Sequence, residues 1–161
     1  MTTRRIADSD LDFLDDLYAS TRAEEVAASG WPQEAQRQFL AQQFRFQHRY
    51  YQEHHADADF LLLLRQEAPV GRLYWRSRRE GATLVDISLV PPQRGRGMGS
   101  ALLGLLVAHA DLQGWPIDLH VEPANPARRL YERMGFAATH TQGVYLRMLR
   151  TPQTPSPGAL S

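Results

Sequence analysis

The sequence predicts a mixed α/β domain with one mostly antiparallel sheet of six to seven strands and about four helices. Three observations point there. Apolar residues recur at helical spacing up to about residue 53 and change to strand-like runs from residue 60. Three such runs, 60–65, 70–76 and 84–90, are separated by short polar turns and read as an antiparallel meander. A strand–helix–strand unit then spans residues 84–121. It requires one parallel, right-handed crossover, so the sheet is mixed.

The elements follow in order. A short strand at residues 3–6 opens the chain. Asp8 or Ser9 offers an N-cap for a helix carrying Leu11, Leu14, Leu17 and Tyr18 on one face and acids on the other. Trp31-Pro32 ends it. A second helix over residues 33–53 places Phe39, Leu40, Gln43, Phe44, Gln47 and Tyr51 along one side, read as core. Residues 60–65 form a continuous apolar run, suited to a buried strand. A hairpin turn is expected at residues 66–69 and a polar turn before Gly81. After the third run comes PQRGRGMGS, then a helix that is apolar nearly all round and stops at Gly114-Trp115-Pro116. A strand at 117–121 follows. Asn125-Pro126 supplies an N-cap and a first-turn proline for a helix ending at Gly135-Phe136. Two short strands, about 138–141 and 144–149, close the body around Gln142-Gly143.

Composition narrows the function. The chain has 161 residues and 43% hydrophobic content, enough for one domain with its own core. We expect that domain at residues 1–150 and a disordered tail at 151–161, TPQTPSPGALS, rich in Pro and Ser. Cysteine is absent, which excludes disulfides, thiolate metal sites and a cysteine nucleophile. The start of the chain lacks the apolar core of a secretory signal, and no segment has membrane-spanning length. A cytoplasmic location is expected. Net charge is zero, against a dedicated nucleic-acid binder. All 18 basic residues are arginine, so a Walker-type loop, a Schiff-base lysine and a lysine base are excluded.

The glycine-rich stretch is the first motif with chemistry. A dinucleotide G-x-G-x-x-G fails, because the third glycine would fall on Ser100 or Leu102. What remains is Arg94-x-x-Gly97-x-Gly99 between a strand and a helix. Such a loop turns several backbone N–H groups outward at the positive end of a helix dipole, which suits a pyrophosphate.

The second motif is LHVEPANPARRLYERMGF, residues 119–136. Together with LVDISLVPPQRGRGMGSALL, residues 84–103, it resembles the GNAT family of acetyl-CoA-dependent N-acyltransferases. The first stretch is similar to the family's R/Q-x-x-G-x-G/A pyrophosphate loop and its preceding strand. The second is similar to its strand, asparagine-led helix and LYE-x-x-GF ending. Both motifs cover about a third of the chain. The N-terminal part carries no matching motif.

The resemblance implies the GNAT fold, splayed between the strands at 84–90 and 117–121. It implies acetyl-CoA as co-substrate and no metal. The pantetheine arm would pair with the backbone at Leu89 and Val90. The pyrophosphate would rest on amides of Arg94, Gly95, Arg96, Gly97, Met98, Gly99 and Ser100. The side chain of Arg94 would contact phosphate, and Arg96 reads equally as a contact or as a solvated loop arginine. Asn125 reads equally as a pantetheine contact or as a cap. Tyr131 occupies the place of the family's acid for the departing thiolate, with Leu130 turned to the sheet.

The base stays open. Strand alternation puts His120 and Glu122 on one face and Leu119 and Val121 on the other. His120 stands where the family's ribosomal-protein acetyltransferases carry glutamate, and an imidazole titrates near neutral pH. Asp86 and Ser88 are the rivals. The expected reaction is acetyl transfer to a primary amine of a small molecule or peptide, by direct attack in a ternary complex. A non-catalytic acetyl-CoA sensor of the same fold is the alternative. The acceptor should meet the region of Arg22, Glu24, Glu25, Trp31 and Gln43/Gln47. Residues 1–34 hold three arginines against eight acids, so a cationic amine would suit them. No nucleic acid or membrane partner is expected, and a homodimer is left open.

Overall fold

A computed structural model describes residues 1–153. The strands are β1 (Thr2–Arg5), β2 (Asp59–Arg65), β3 (Ala68–Ser77), β4 (Ala82–Leu89), β5 (Ile117–Val121), β6 (Ala137–Gln142) and β7 (Tyr145–Arg150). The helices are α1 (Leu11–Ala27), α2 (Gln33–His54), α3 (Met98–Gln113) and α4 (Ala127–Arg133). The strands form one seven-stranded sheet in the order β1-β2-β3-β4-β5-β7-β6. The β4–β5 pair is parallel, while β1–β2, β5–β7 and β6–β7 are antiparallel. The mixed, mostly antiparallel sheet with four helices is therefore as expected. The proposed tail falls partly on residues 154–161, which lie outside the described residues.

The chain divides into two compact units, and β3 and β4 each pass from one to the other. The first comprises Met1–Tyr74 and Asp86–Arg94. Its core holds Leu14, Tyr18 and Val26 of α1, Leu40 and Phe44 of α2, and Leu62 of β2. The helical residues recur at helical spacing, so each helix buries one face, whereas β2 buries both, with adjacent Leu62 and Leu63 fully buried. Phe39 departs from the expectation. It is exposed on the outer side of α2, where it meets Trp31 edge-on.

Two local expectations are corrected. Neither Asp8 nor Ser9 caps α1: residues 8–10 form a 3-10 turn, and Asp10 occupies the cap position. Its carboxylate accepts from Ala7 N–H at 2.8 Å and from both terminal nitrogens of Arg4 at 2.8 and 2.9 Å. The β2–β3 turn is tighter than 66–69. Gln66 and Glu67 both take positive φ, 53° and 66°, and β3 begins at Ala68. Two left-handed residues give the twist a two-residue hairpin needs, even where neither is glycine.

The second unit comprises Trp75–Val85 and the chain from Gly95 onward. β5 alternates strictly: Ile117, Leu119 and Val121 are buried and His120 is exposed. On β7, Leu146, Met148 and Arg150 are buried. The Arg150 guanidinium, 3% exposed, forms a bidentate pair with Asp111 of α3 at 2.7 and 3.1 Å and donates from Nε to Met134 O at 2.8 Å. Gln153 N–H adds a third donor to Asp111, at 2.9 Å.

Candidate functional site

β4 pairs with β5 over Ala82–Leu84 only, against Ile117–Leu119, yet β4 runs on to Leu89. At its far end Val90 N–H donates to Val70 O at 2.9 Å. The polar backbone groups of residue 90 therefore face β3, and by strand alternation those of Leu89 face the other way. The expectation named both residues as backbone partners; the geometry leaves that side to Leu89. Gly71 suits this close approach of β3 to β4, since a Cβ there would collide with Ser88 O. Pro91–Gln93 then forms a 3-10 turn that ends the strand, as two prolines require.

The loop that follows is built by its glycines. Gly95 and Gly97 take φ of 73° and 80°, a region only glycine enters without strain. Gly97 is the N-cap of α3, and no side chain caps that end. The first-turn amides of Met98, Gly99 and Ser100 are thus left for an outside acceptor. These observations fit an anionic diphosphate at the start of α3.

The two loop arginines differ. Arg94 folds back, donating from Nε to Leu89 O and from Nη2 to Ser20 Oγ, both at 2.9 Å. It holds the loop to α1 and β4. Arg96 is exposed and makes no hydrogen bond or ion pair among the described residues. The sequence ranked Arg94 as the phosphate contact; the geometry leaves Arg96 as the available cation.

In the second unit, Asn125 Oδ1 accepts from Ala127 N–H at 2.9 Å, so its capping role is real. α4 ends in a Schellman motif. Phe136 N–H reaches Tyr131 O at 3.0 Å, Gly135 N–H reaches Glu132 O at 3.1 Å, and Gly135 has φ of 97°. Tyr131 packs its ring on Phe136 at 5.8 Å, the apolar contact that accompanies this motif. Tyr131 is accordingly buried and Leu130 half-buried, the reverse of the emphasis expected. His120 sits opposite Arg147 of β7, and its Nε2–H donates to Gln142 Oε1 at 2.8 Å. That tautomer leaves Nδ1 with a lone pair.

Asp86 and Ser88 lie together in the first unit. Ser88 Oγ–H donates to Asp86 at 3.0 Å, and Asp86 pairs with Nε of Arg72. Arg72 is 3% exposed, donates to Gln47 Oε1 at 2.9 Å, and lies 4.6 Å over the Tyr74 ring. Burial, the largest single influence, would lower its pKa, but the Asp86 charge and hydrogen bond together with Tyr74 and Tyr51 outweigh it and the pKa is raised. Asp86 is thus the counter-ion of a buried cation. Arg72 and Gln47's part in holding it were missed by the sequence reading. The signal was there: an arginine inside the apolar run VGRLYW must find a carboxylate.

The remaining acceptor-region residues are surface features. Arg22 pairs with Glu25 at 3.2 Å, and Trp31 is exposed. Among the described residues, no group of three or more His, Asp or Glu could hold a metal ion, and no helix is long and apolar enough to cross a membrane.

Comparison with known proteins bears on the family and the fold. The chain is 34% identical over 77 residues to the [ribosomal protein bS18]-alanine N-acetyltransferase of Haemophilus influenzae, covering 47% of this chain and 53% of that protein. The chain thus spans about half the length of that relative. The PaiA N-acetyltransferase of Thermoplasma acidophilum, solved with coenzyme A, superimposes with a TM-score of 0.66 at 17% identity, covering 93% of this chain and 98% of that one. Ard1 of Thermoplasma volcanium gives 0.62 at 17%, covering 95% and 98%. At such identities these two structures establish the fold. The family model described as acetyltransferase (GNAT) matches residues 14–136, which include both motifs, and the chain belongs to that family.

Proposed function

We propose that the chain transfers an acetyl group from acetyl-CoA to a primary amine of a small molecule or peptide, by direct attack in a ternary complex. The observation that carries this is the uncapped start of α3 behind two left-handed glycines, at the end of a strand that outruns its parallel partner. The loop amides of residues 95–100 hold the diphosphate, Arg96 adds an exposed positive charge, and Leu89 offers its backbone N–H to the pantetheine arm. Acetyl-CoA supplies an activated thioester carbonyl. The amine nitrogen forms the new C–N bond as the C–S bond breaks. His120 takes the proton released from nitrogen through Nδ1, and Tyr131 O–H protonates the departing sulfur.

The acceptor to test first is a peptide α-amine. The Haemophilus influenzae relative is named for an alanine of ribosomal protein bS18, and residues 1–34 carry an acidic excess that suits a cation. Amine-dependent thiol release from acetyl-CoA is the direct test. Calorimetry with acetyl-CoA should give binding for the natural chain and none for Gly97→Glu, which places a Cβ and a negative side chain at φ of 80°. Equal binding by both would remove the site. Binding without thiol release across an amine panel would leave a sensor.

A further inference from the structure

β6 is the outer strand of the sheet and is exposed along its whole length. Two local features decide which of its side chains share a face with His120. At the β6–β7 turn Gly143 takes φ of 63° and Val144 keeps a negative φ, the pattern of a two-residue II′ hairpin, and Gln142 stands opposite Tyr145. Further back the register shifts: Ala138 stands opposite Met148, yet His140 stands opposite Arg147. Thr139 is therefore an extra residue, a β-bulge. Without it, Thr139 and Thr141 would oppose Arg147 and Tyr145, and Gln142 would fall on the other face. With it, His140 and Gln142 take those places. Arg147 is in turn opposite His120 of β5. Bulge and turn together carry Gln142 onto the face of His120, two strands away. β5 and β6 lie about 10 Å apart across β7. The imidazole and the long amide side chain close that span with one hydrogen bond of 2.8 Å.

We propose that Gln142 is a positioning residue for acetyl transfer: it fixes which nitrogen of His120 is bare. The inference rests on the reading that His120 takes the proton of the attacking amine. The amide oxygen of Gln142 only accepts, so the nitrogen it meets, Nε2, carries the hydrogen. A neutral ring then has its lone pair on Nδ1. His120 makes no other hydrogen bond among the described residues. Free in water, the ring would exchange its hydrogen between both nitrogens, because the tautomer is set by the bond the other nitrogen makes. Held by Gln142, it keeps one tautomer and one orientation, and Nδ1 alone is left to accept a proton. The strong donor directly opposite is turned elsewhere. Arg147 Nη2 lies 3.4 Å from Asp118 Oδ2, and Asp118 Oδ1 accepts from Thr83 Oγ1 at 2.6 Å. A guanidinium donating to Nδ1 would occupy the lone pair that the reaction needs.

Long-range proton–nitrogen NMR of the chain with isotope-labelled histidine reads the tautomer without any substrate, at a pH where the ring is neutral. The signal of His120 is the one, among six histidines, that His120→Ala removes. It should show a protonated Nε2 and a bare Nδ1. Gln142→Leu removes the acceptor and Gln142→Asn falls one methylene short, so in both the two nitrogen shifts should move towards each other. Gln142→Glu keeps the reach and the acceptor and should keep the natural pattern. Residue 142 is exposed, and all three variants should melt with the natural chain. In steady-state thiol release Gln142→Leu and Gln142→Asn should lower kcat about three- to tenfold, the effect of one ordinary hydrogen bond, with the KM for acetyl-CoA unchanged. A bare Nε2 in the natural chain would overturn the proposal. So would a Gln142→Leu chain with unaltered nitrogen shifts or unaltered kcat. A natural kcat in His120→Ala would overturn it by removing the base on which it rests, and the NMR pattern separates that failure from the others.

Discussion

Asp86 decides between two accounts of the first unit. If it were the general base, its loss would cost turnover and little stability. The structure implies the reverse. Asp86 is the carboxylate partner of Arg72, whose guanidinium is 3% exposed. Removing one member of a buried pair leaves an uncompensated charge and costs about 3–5 kcal/mol. The Asp86 side chain is itself 25% exposed, so water relieves part of the penalty and about 3 kcal/mol is the working value. For a chain of this size each kcal/mol lowers the melting temperature by roughly 2–4 °C. Asp86→Ala should therefore melt roughly 6–12 °C below the natural chain in a thermal scan followed by circular dichroism. Ser88→Ala removes one hydrogen bond at 3.0 Å and should cost only about 1 kcal/mol. Arg72→Met combined with Asp86→Leu removes both charges and should recover most of the loss, because an apolar pair of similar volume replaces a buried ion pair at little cost. Thiol release by that double variant completes the cycle: it should persist under the proposal that His120 is the base. An Asp86→Ala chain that melts with the natural one but loses its rate would refute this reasoning and make Asp86 the base.

The other predictions concern the reacting groups and the ends of the fold. Tyr131→Phe keeps the ring on Phe136 and removes the hydroxyl, so stability and acetyl-CoA affinity should hold while turnover falls at least about tenfold, checked by single-turnover thiol release. His120→Ala should lower turnover in the same assay; an unchanged rate would move the base role elsewhere. Cutting after Gln153 should leave the melting temperature unchanged, whereas cutting after Arg150 removes one donor to Asp111 and should cost about 1 kcal/mol, read in the same scan. Acidification should destabilise in two stages. His48 is held below its ordinary pKa by burial first and Arg72 second, so the folded state resists a proton that the unfolded chain accepts, and stability declines as pH falls below about 6.5. Asp10 and Asp111 are held low chiefly by hydrogen bonds from Arg4 and Arg150. Their contribution is complete above about pH 4 and is lost as pH falls through their folded values, while Asp15, raised by burial and Asp16, acts in the opposite sense. Melting temperature against pH checks this, and Asp111→Asn should melt lower at neutral pH with a shallower acid limb.

Some of this was legible in the sequence for definite physical reasons. Glycine before a helix leaves few alternatives, so the loop at Gly95 and Gly97 and the stop at Gly135-Phe136 were placed correctly. Strand alternation separated His120 from Leu119 and Val121 without any contact information. What failed was partner choice. Asp8, Ser9 and Asp10 are all capping residue types, and only Arg4, brought alongside by strand pairing, selects Asp10. Phe39 sits one residue from buried Leu40, and a helical period alone does not fix where a buried face ends. Arg72 was absorbed into an apolar strand because its counter-ion, Asp86, lies fourteen residues away and on another strand.

The two loop arginines carry the same lesson into function. At sequence level both are cations beside a predicted anion site, and the family resemblance favours Arg94 as the phosphate contact. Folding separates their work. Arg94 spends its donors on Leu89 O and Ser20 Oγ, so its effect is to fix the approach of β4 to the loop before any ligand arrives. Arg96 remains solvated and contributes charge. A loop already held in shape loses less conformational entropy when a diphosphate settles on its amides. The backbone then supplies the geometry and the guanidinium the long-range attraction. That division also accounts for how the proposed anion site needs no lysine: the positive end of α3 and aligned N–H groups require no ammonium to point at a phosphate.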